Sequence, residues 1–404
     1  MTFAFRPEIF IILGILLSLA CSEGLNLSPG GVVVPGYVAL CLNRPLELAV
    51  TLGAALAAFF TIKIAGRFFF LFGKRRFALC LLSGLAWGLL FRAFAPAPGA
   101  ILRIGGFLIP GILASEMTRQ GALKTFAAMA AVSAAVFLAG TGLTLLLGAQ
   151  ERRAEAAYTE ILEGLHGRNR AGIIGEEYTA LTTTLGSPEA KLLQLDPAAA
   201  GLMARLLKDA GVRRGAKIAV NASGSFPGFV FASLAACRTL GLDAVLVVSL
   251  GASSYGANIP GWTVADMLFA ASAMPGAPLA GVEFAAITPG GSGDAGKELD
   301  RAELERAALL AQSHGVPFVV PASLDEALAL REAAFKDCAV LVNVGGNHPS
   351  TFASEELSRM GGLIRPTDAY AGQGLVGNFL SQGKPVIQVL NVRQLFRQFG
   401  IGKD

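Results

Sequence analysis

Residues 28–45 read SPGGVVVPGYVALCLNRP, and residues 103–120 read RIGGFLIPGILASEMTRQ. Both fit the pattern GGxxxPGxxAxxxxR. Gly30, Gly31, Pro35, Gly36, Ala39 and Arg44 are matched by Gly105, Gly106, Pro110, Gly111, Ala114 and Arg119, at a constant offset of 75 residues. One apolar stretch precedes each copy and another follows it. Residues 1–75 and 76–150 therefore read as two copies of one unit: span, Gly-Pro motif, span. Two ordinary Gly/Pro-rich surface loops are the alternative, but chance does not preserve spacing, apolar content and a matched arginine together.

Four apolar stretches carry the membrane argument: Phe10–Ala20, Leu46–Ile62 with an extension to Phe72, Phe77–Phe91, and Thr125–Gln150. The last holds 26 residues without a charge, enough for the ~20 that a helix needs to cross a bilayer. Lys63, Arg67 and Arg92 sit near stretch ends, where long side chains snorkel to the headgroups. Arg6 followed by the apolar run from Ile9 to Cys21 has the outline of a secretory leader. It lacks a small-x-small cleavage site and further spans follow, so it reads as a retained span. Charge divides the chain at the same place. Residues 1–150 carry a net +7 and residues 151–404 a net −3. The whole chain is 15% charged, against about 25% for a soluble protein. These halves predict a polytopic α-helical membrane domain over 1–150 and a water-soluble α/β domain over 151–404.

Gly-Gly and Pro-Gly do not sustain a regular helix, yet Val32–Val34 and Phe107–Ile109 are apolar enough for membrane depth. Broken backbone at that depth survives only against protein or around a water-filled cavity. Paired interrupted segments in two halves point to a binding site between the repeats. A helix beginning after Pro-Gly aims its N-terminal amides at the break and favours an anion there. Arg44 and Arg119 read equally well as a symmetric pair of carboxylate-binding guanidinium groups or as headgroup anchors. Glu23 and Glu116, the acids near the motifs, are ion partners of an arginine or site groups. Lys74-Arg75-Arg76 joins the halves and belongs in the cytoplasm. Motifs that only dip into the bilayer give two crossings per half and cytoplasmic termini. Motifs that cross give three crossings per half, inverted repeats and external termini.

The second half alternates helix and strand. A connecting helix spans 150–170, and a second one follows at Ala198–Ala210. Lys217–Val220, a Gly/Ser turn and Phe229–Leu240 read as strand, loop, helix. Further strands are expected at Ala244–Leu250, Phe284–Thr288, Pro317–Val320, Ala339–Val344 and Val386–Leu390, with helices at Glu298–His314 and Leu324–Phe335. This alternation predicts a largely parallel, three-layer sheet, which binds ligands at the C-terminal ends of its strands. The loops there are small and polar, and their candidate ligand residues are Ser223, Gly224, Ser225, Ser253, Ser254, Asn258, Gly345, Gly346 and Asn347. Ser225, His348 and Asp266 are the candidates for a hydrolase triad, although no GxSxG frames the serine. Loop residues capping turns and helices are the plainer reading of all three. No Gly-Lys pair is followed by Ser or Thr, so a Walker A loop is absent. No cofactor and no metal site is implied: CxxC and Cys/His clusters are missing, and Cys237 and Cys338 leave room for one disulfide at most and read better as two buried free thiols. Scattered basic residues without reading motifs argue against nucleic acid.

The run GGVVVPGYVALCLNRP, the link GKRRFA and the second motif IPGILASEMTRQG resemble the poly-γ-glutamate (capsule) synthesis protein C family, PgsC/CapC, over roughly residues 5–148. Glu23, Pro35, Gly36, Tyr37, Asn43, Gly73, Arg75, Arg76, Pro110, Gly111 and Gln120 stand where that family has like residues. Arg44 departs from the glutamine expected in some relatives, which weakens the arginine pair as a family feature. The resemblance implies a non-catalytic membrane subunit in the bilayer of the cell (inner) membrane. Its implied partners are a separate ATP-dependent ligase, other membrane proteins of the system and the anionic polyglutamate itself. The second half resembles the poly-γ-glutamate system protein PgsW over about 155–402. The likeness is carried by GIIGEEYTALTTTLG, VRRGAKIAVNASGSFPGFVFASLAAC, SSYGAN, VLVNVGG and KPVIQVLNVRQLFRQFG. That resemblance implies a fusion of two proteins of one system, with the soluble domain outside the cell.

Overall fold

The computed structural model describes residues 7–42, 44–93, 105–169, 171–346, 348–351 and 354–401. The chain divides into two compact units, one ending at Leu147 and the other beginning at Gly148.

The first unit is helical: α1 (Pro7–Leu25), α2 (Val34–Cys41), α3 (Pro45–Ala65), α4 (Gly73–Ala93), α5 (Gly105–Gln120) and α6 (Ala122–Leu147). Helices α1, α3 and α6 are long and apolar enough to cross a membrane. Helix α4 has 21 residues and carries Lys74, Arg75 and Arg76 in its first turn. The expected extension to Phe72 is not part of α3, which stops at Ala65. Phe68, Phe69, Phe70 and Phe72 follow it as exposed side chains.

The two Gly-Pro motifs take different local forms. In the first, Gly30 (φ 88°) and Gly31 (φ 105°) adopt left-handed backbone and turn the chain into α2, whose first turn holds Pro35. In the second, the expected break does not occur: α5 runs continuously with Pro110 inside it. That proline forfeits one backbone hydrogen bond in the second turn. Packing on α3 and α4 outweighs the loss, as tertiary context commonly overrides propensity.

The two halves nevertheless pack alike. Helix α2 lies against α1 and α6, and α5 lies against α4 and α3. Each motif helix thus sits between the first span of its own half and the second span of the other. Both contacts with the first span are backbone on backbone. A Cβ on Gly14 would stand 2.5 Å from Gly36 Cα, and one on Gly84 would stand 2.5 Å from Gly111 Cα. Positions 75 apart are buried alike: Val34 and Ile109 are 1% and 5% exposed, Val38 and Leu113 5% and 0%, and Ala39 and Ala114 both 0%.

The second unit starts with α7 (Ala149–Arg168), whose Ala154, Tyr158, Ile161 and Leu165 form one buried stripe at helical spacing. Strand β1 (Thr182–Thr184), α8 (Pro188–Leu192) and α9 (Ala198–Asp209) lead to β2 (Lys217–Ser223), α10 (Pro227–Leu240) and β3 (Asp243–Ser249). The short β4 (Ala252–Ser253), β5 (Asn258–Ile259) and β6 (Trp262–Thr263) precede α11 (Val264–Ser272), β7 (Val282–Thr288), α12 (Arg301–Ser313) and α13 (Leu324–Ala334). The chain ends with β8 (Val340–Val344), α14 (His348–Thr351), α15 (Glu355–Arg359), β9 (Gly362–Ile364), α16 (Gly374–Ser381), β10 (Val386–Val389) and α17 (Val392–Gln398). The main sheet has the order β7-β3-β2-β8-β10-β9, parallel throughout except for the β9 edge. Pro317–Val320 does not form the expected strand and contributes one bridge, Phe318 to Ile287. Cys237 and Cys338 are buried and free.

Both faces of the sheet are covered, which explains its near-continuous apolar strands. Ile218, Val220 and Ala222 of β2 enter one core with α7, α9, α10 and α11, while Ala219 enters the other with α13 and α16. On that second face a polar row interrupts the apolar pattern. Asn221, Asn343 and Gln388 stand side by side in register across β2, β8 and β10. Asn221 Nδ2 donates to Asn343 Oδ1 at 2.7 Å, and Asn343 Nδ2 donates to Gln388 Oε1 at 2.9 Å. Arg331 of α13 closes the row, its Nε donating to Asn221 Oδ1 at 2.8 Å. Its Nη1 stands 2.8 Å from Asp294 Oδ2, with both side chains 0% exposed. Its remaining donors reach Ala327 O, Ser249 Oγ and Thr288 Oγ1. Asp294 Oδ1 in turn accepts from Ser249 Oγ and Thr288 Oγ1.

A buried pair persists only when its geometry and remaining hydrogen bonds are satisfied. Arg331→Leu, which strands the Asp294 carboxylate, is therefore expected to cost about 3–5 kcal/mol. Arg331→Leu/Asp294→Leu should cost less than the sum of the two single changes. Denaturant unfolding of the four proteins in one detergent checks both statements.

Candidate functional site

In the sheet order, β2 is the switch point: β3 and β7 lie to one side, β8 and β10 to the other. Such a point opens a crevice at the C-terminal ends of the strands. The end of β2 with residues 224–226, and residues 345–346 after β8, meet there. A Cβ on Gly345 (φ 79°) would stand 2.6 Å from Ser223 Oγ and 3.5 Å from Ser225 Cβ. On the β3 side, the 250–257 loop packs against the first of these. A Cβ on Gly256 would stand 2.6 Å from Gly224 O and 3.1 Å from Ser225 Cα. These glycines let main chains approach where any side chain would hold the serines apart.

The structure thereby gathers several sequence candidates. Ser225 Oγ accepts from Ser253 N at 3.1 Å. Ser254 is buried beside it, and its Oγ has no hydrogen-bond partner among the described residues. Asn258 belongs to the frame: its side chain accepts from Glu176 N and donates to Glu176 O and Thr182 Oγ1, which pins the preceding loop. Asn347 lies outside the described residues. The proposed triad does not assemble. Asp266 closes the capping box of α11 with Thr263 and is gripped by Arg306, whose Nη1 and Nη2 stand 2.8 and 2.6 Å from its two oxygens. Those carboxylates, Asp266 and Glu303, hold the Arg306 guanidinium far above its ordinary range. His348 Nδ1 accepts from Gly293 N at 3.2 Å. Spacing in the sequence placed Asp266 nowhere near α14, and the fold commits it to a helix start.

The crevice contains one side chain that the sequence did not single out. Lys191 of α8 is 1% exposed. Its Nζ donates to Ser225 O, stands 2.7 Å from Ser253 Oγ and lies 3.8 Å from the centre of the Phe226 ring. The nearest acid on its own helix, Glu189, is occupied by Ser187 and by Arg393 at 2.5 Å. Burial without a countercharge pushes the Lys191 ammonium down to about 7. The Phe226 face favours the charged form, but an aromatic contact offsets only part of such a cost. Nothing in the stretch SPEAKLLQL marks this lysine as buried. Arg331 was more legible, since it continues the apolar face of Leu324, Ala327 and Leu328 at helical spacing.

In the membrane unit, the two motifs meet. Gly30 would place a Cβ 2.6 Å from Leu113 Cδ1, and Gly31 would place one 2.9 Å from Ile112 Cγ2. Gln120 fastens the junction: its Oε1 accepts from Ser28 N at 3.0 Å, while its Nε2 donates to Ser28 O and to Thr125 Oγ1. Arg44 pairs with Glu47 at 3.3 Å, and Arg119 pairs with Glu116 at 2.8 Å. Both guanidinium groups are more than half exposed. Pro35, Gly36, Pro110 and Gly111 are buried, Tyr37 is half-buried, and Glu23 is exposed. Gly105 and Gly106 open α5.

A helical bundle of apolar spans built around twin Gly-Pro motifs defines a class of membrane protein. Residues 13–126 match the family described as Capsule biosynthesis CapC. The PGA biosynthesis protein CapC of Bacillus subtilis (strain 168) is 34% identical over 133 residues, covering 32% of this chain and 89% of that protein. The Capsule biosynthesis protein CapC of Bacillus anthracis is 35% identical over 133 residues, with the same coverage of each chain. The chain belongs to the CapC family. No solved structure matches it.

A buried lysine that loses its charge on folding leaves a stability signature. Its folded pKa lies below its unfolded one, so the unfolded state binds more protons between about pH 7 and pH 10. Stability from this group therefore rises with pH across that window and is lowest below it. Lys191→Met should raise the unfolding midpoint of the α/β unit, and by more at pH 6 than at pH 9. The expected scale is roughly 2–4 °C for each kcal/mol recovered. Thermal scans of the full chain in detergent at both pH values check the sign and the difference.

Proposed function

We propose that the chain is a multi-pass membrane subunit of a poly-γ-glutamate synthesis and export system. It handles the anionic polymer beside a separate ATP-dependent ligase and other membrane proteins of that system. Membership of the CapC family supports the pathway. The observation that carries the mechanism is the meeting of the two motifs, with Gly30 and Gly31 packed on Ile112 and Leu113 and Gln120 tying the junction. Matched burial at positions 75 apart supports a tandem duplication, in which the junction is a pseudo-symmetric centre. Helix α2 starts at Val34, three residues after Gly31, and the backbone amides of a helix start are a favourable place for carboxylates. The exposed Arg44 and Arg119, each held by one glutamate, serve as headgroup or entry contacts.

The length of α2 bears on topology. Its 8 residues rise about 12 Å, against the ~30 Å of a bilayer core. The first motif therefore dips into the membrane and returns. With α1, α3, α4 and α6 as the crossings and Lys74-Arg75-Arg76 in the cytoplasm, the α/β unit faces the cytoplasm as well. The external placement implied by the PgsW likeness is the alternative, and it requires the motifs to cross fully. The second reading concerns the α/β unit alone: its crevice at the sheet switch point favours a polymer-binding or polymer-modifying module fused to the membrane subunit.

Two measurements test these readings. A deletion strain complemented with Gly36→Ala/Gly111→Ala should lose most of its polymer while the protein stays in the membrane fraction. Each new Cβ would stand 2.8 Å from a backbone oxygen, of Phe10 or Cys80, and must push its helix pair apart. Wild-type polymer yield would reject the motif centre. A green fluorescent protein fused after Asp404 should fluoresce in cells, and alkaline phosphatase fused there should be inactive. The opposite pattern would reject the four-crossing topology.

A further inference from the structure

Lys191 presents a physical anomaly that the membrane reading does not absorb. A buried ammonium is tolerated when paired with a carboxylate or surrounded by acceptors. Arg331, at the same edge of the sheet, has its carboxylate and all its acceptors. Lys191 has one carbonyl, one serine hydroxyl and an aromatic face. A neutral amine fits those surroundings: one N–H donates to Ser225 O, the other has the Phe226 face beside it, and the lone pair accepts the Ser253 hydroxyl proton.

From this contact we infer that Ser253 is a nucleophile and Lys191 its general base, forming a serine–lysine pair for acyl transfer on esters or amides. Four observations converge on it. Nζ and Oγ are 2.7 Å apart, within the reach a proton transfer needs. Ser253 is held by the β1–β4 pairing and by its N–H to Ser225 Oγ, so the hydroxyl is presented on fixed backbone. Gly186 packs closely beside the pair: a Cβ there would stand 3.3 Å from Ser253 Oγ and 3.2 Å from Lys191 Cε, so only bare backbone fits next to the hydroxyl. The buried Ser254 Oγ next to it has no hydrogen-bond partner among the described residues, and a ligand oxygen would supply one.

The chemistry balances without a cofactor. Neutral Lys191 takes the Ser253 hydroxyl proton as Oγ bonds to the acyl carbon. The tetrahedral adduct collapses, the bond from carbon to the leaving oxygen or nitrogen breaks, and the leaving group departs with the proton from Lys191. Water then attacks the acyl-serine with Lys191 again as base. The acid is released and the proton returns to Oγ. Burial holds Lys191 near neutral pH, in keeping with a base that works there. Glu189 lies on its own helix with Arg393 of α17 against it, and Tyr255 stands within electrostatic reach of Glu189 and Glu177. Glu189 is engaged by Ser187 and Arg393, and the Tyr255 phenol is pushed up by burial and by its contact with Glu177.

The test needs neither polymer nor ligase, so its outcome is separate from that of the polymer reading. The full chain in detergent is treated with an alkyl fluorophosphonate, and the modified residue is located by peptide mass spectrometry. Wild type should carry one adduct, on Ser253. Its rate should rise about tenfold between pH 6 and pH 8, as a base of pKa near 7 requires. Lys191→Arg should slow it by roughly a hundredfold or more, and Ser253→Ala should abolish it. An unlabelled Ser253 in folded wild-type protein would overturn the inference. So would a rate flat in pH, or wild-type labelling in a folded Lys191→Arg variant. If that variant does not fold, the adduct site and pH profile of wild type decide by themselves.

Discussion

The α/β unit depends on a buried ion pair. Arg331 and Asp294 are both 0% exposed, and an unsatisfied charge there would be prohibitive. The solution is a row of polar side chains across the sheet, in which Asn221, Asn343 and Gln388 share one register level. The row fixes more than the pair. Asp294 sits at φ 63° inside the glycine-rich turn that follows β7, so anchoring its carboxylate sets the course of that turn. Asn343 Nδ2 also donates to Gly345 O, and Ser350 Oγ donates to Asn343 Oδ1, so the loop after β8 is set by the same row. The crevice is shaped by hydrogen bonds one layer beneath its surface.

The membrane unit obeys a different constraint. Apolar side chains give little reason for helices to associate in lipid, so close backbone contact must supply it. Gly14 with Gly36 and Gly84 with Gly111 provide that contact once in each half. The first contact of each pair lies in an apolar span and the second in a Gly-Pro motif. The motif glycines therefore serve as crossing points as much as turns. This also explains how α5 stays helical through Pro110: the residue after it must present a bare backbone to α4, and a helix does that as well as a loop.

Much of this was legible in the sequence. The apolar spans and the strand–helix alternation are periodic signals, and the elements that carry them were located within a few residues. Two errors have one cause. Pro317–Val320 has strand-like composition but meets only Ile287 at the sheet edge, and α5 has loop-like composition but is enclosed by helices. Local propensity decided neither, because partners elsewhere in the chain did. The candidate site was legible as loops and not as chemistry. Polar residues after strand ends mark a crevice, but only the fold brings a lysine from α8 to the serine at 253. Asp266 failed in the opposite way, since its spacing after Thr263 is a helix-start signature that outweighs any catalytic reading.

Two buried cations at one edge of the sheet are treated in opposite ways, and the contrast is informative. Arg331 receives an acid, three side-chain acceptors and a carbonyl, which holds it in one charge state and makes it structural. Lys191 receives burial and two neutral oxygens, which leaves its charge state free to change near pH 7. Guanidinium cannot shed its proton at such a pH, whereas an amine can. Had Lys191 been only a strut, an arginine with a carboxylate or an apolar side chain would have filled the space at lower cost. A group kept at the edge of titration against a serine hydroxyl is costly to the fold, and that cost is what reactive sites characteristically carry.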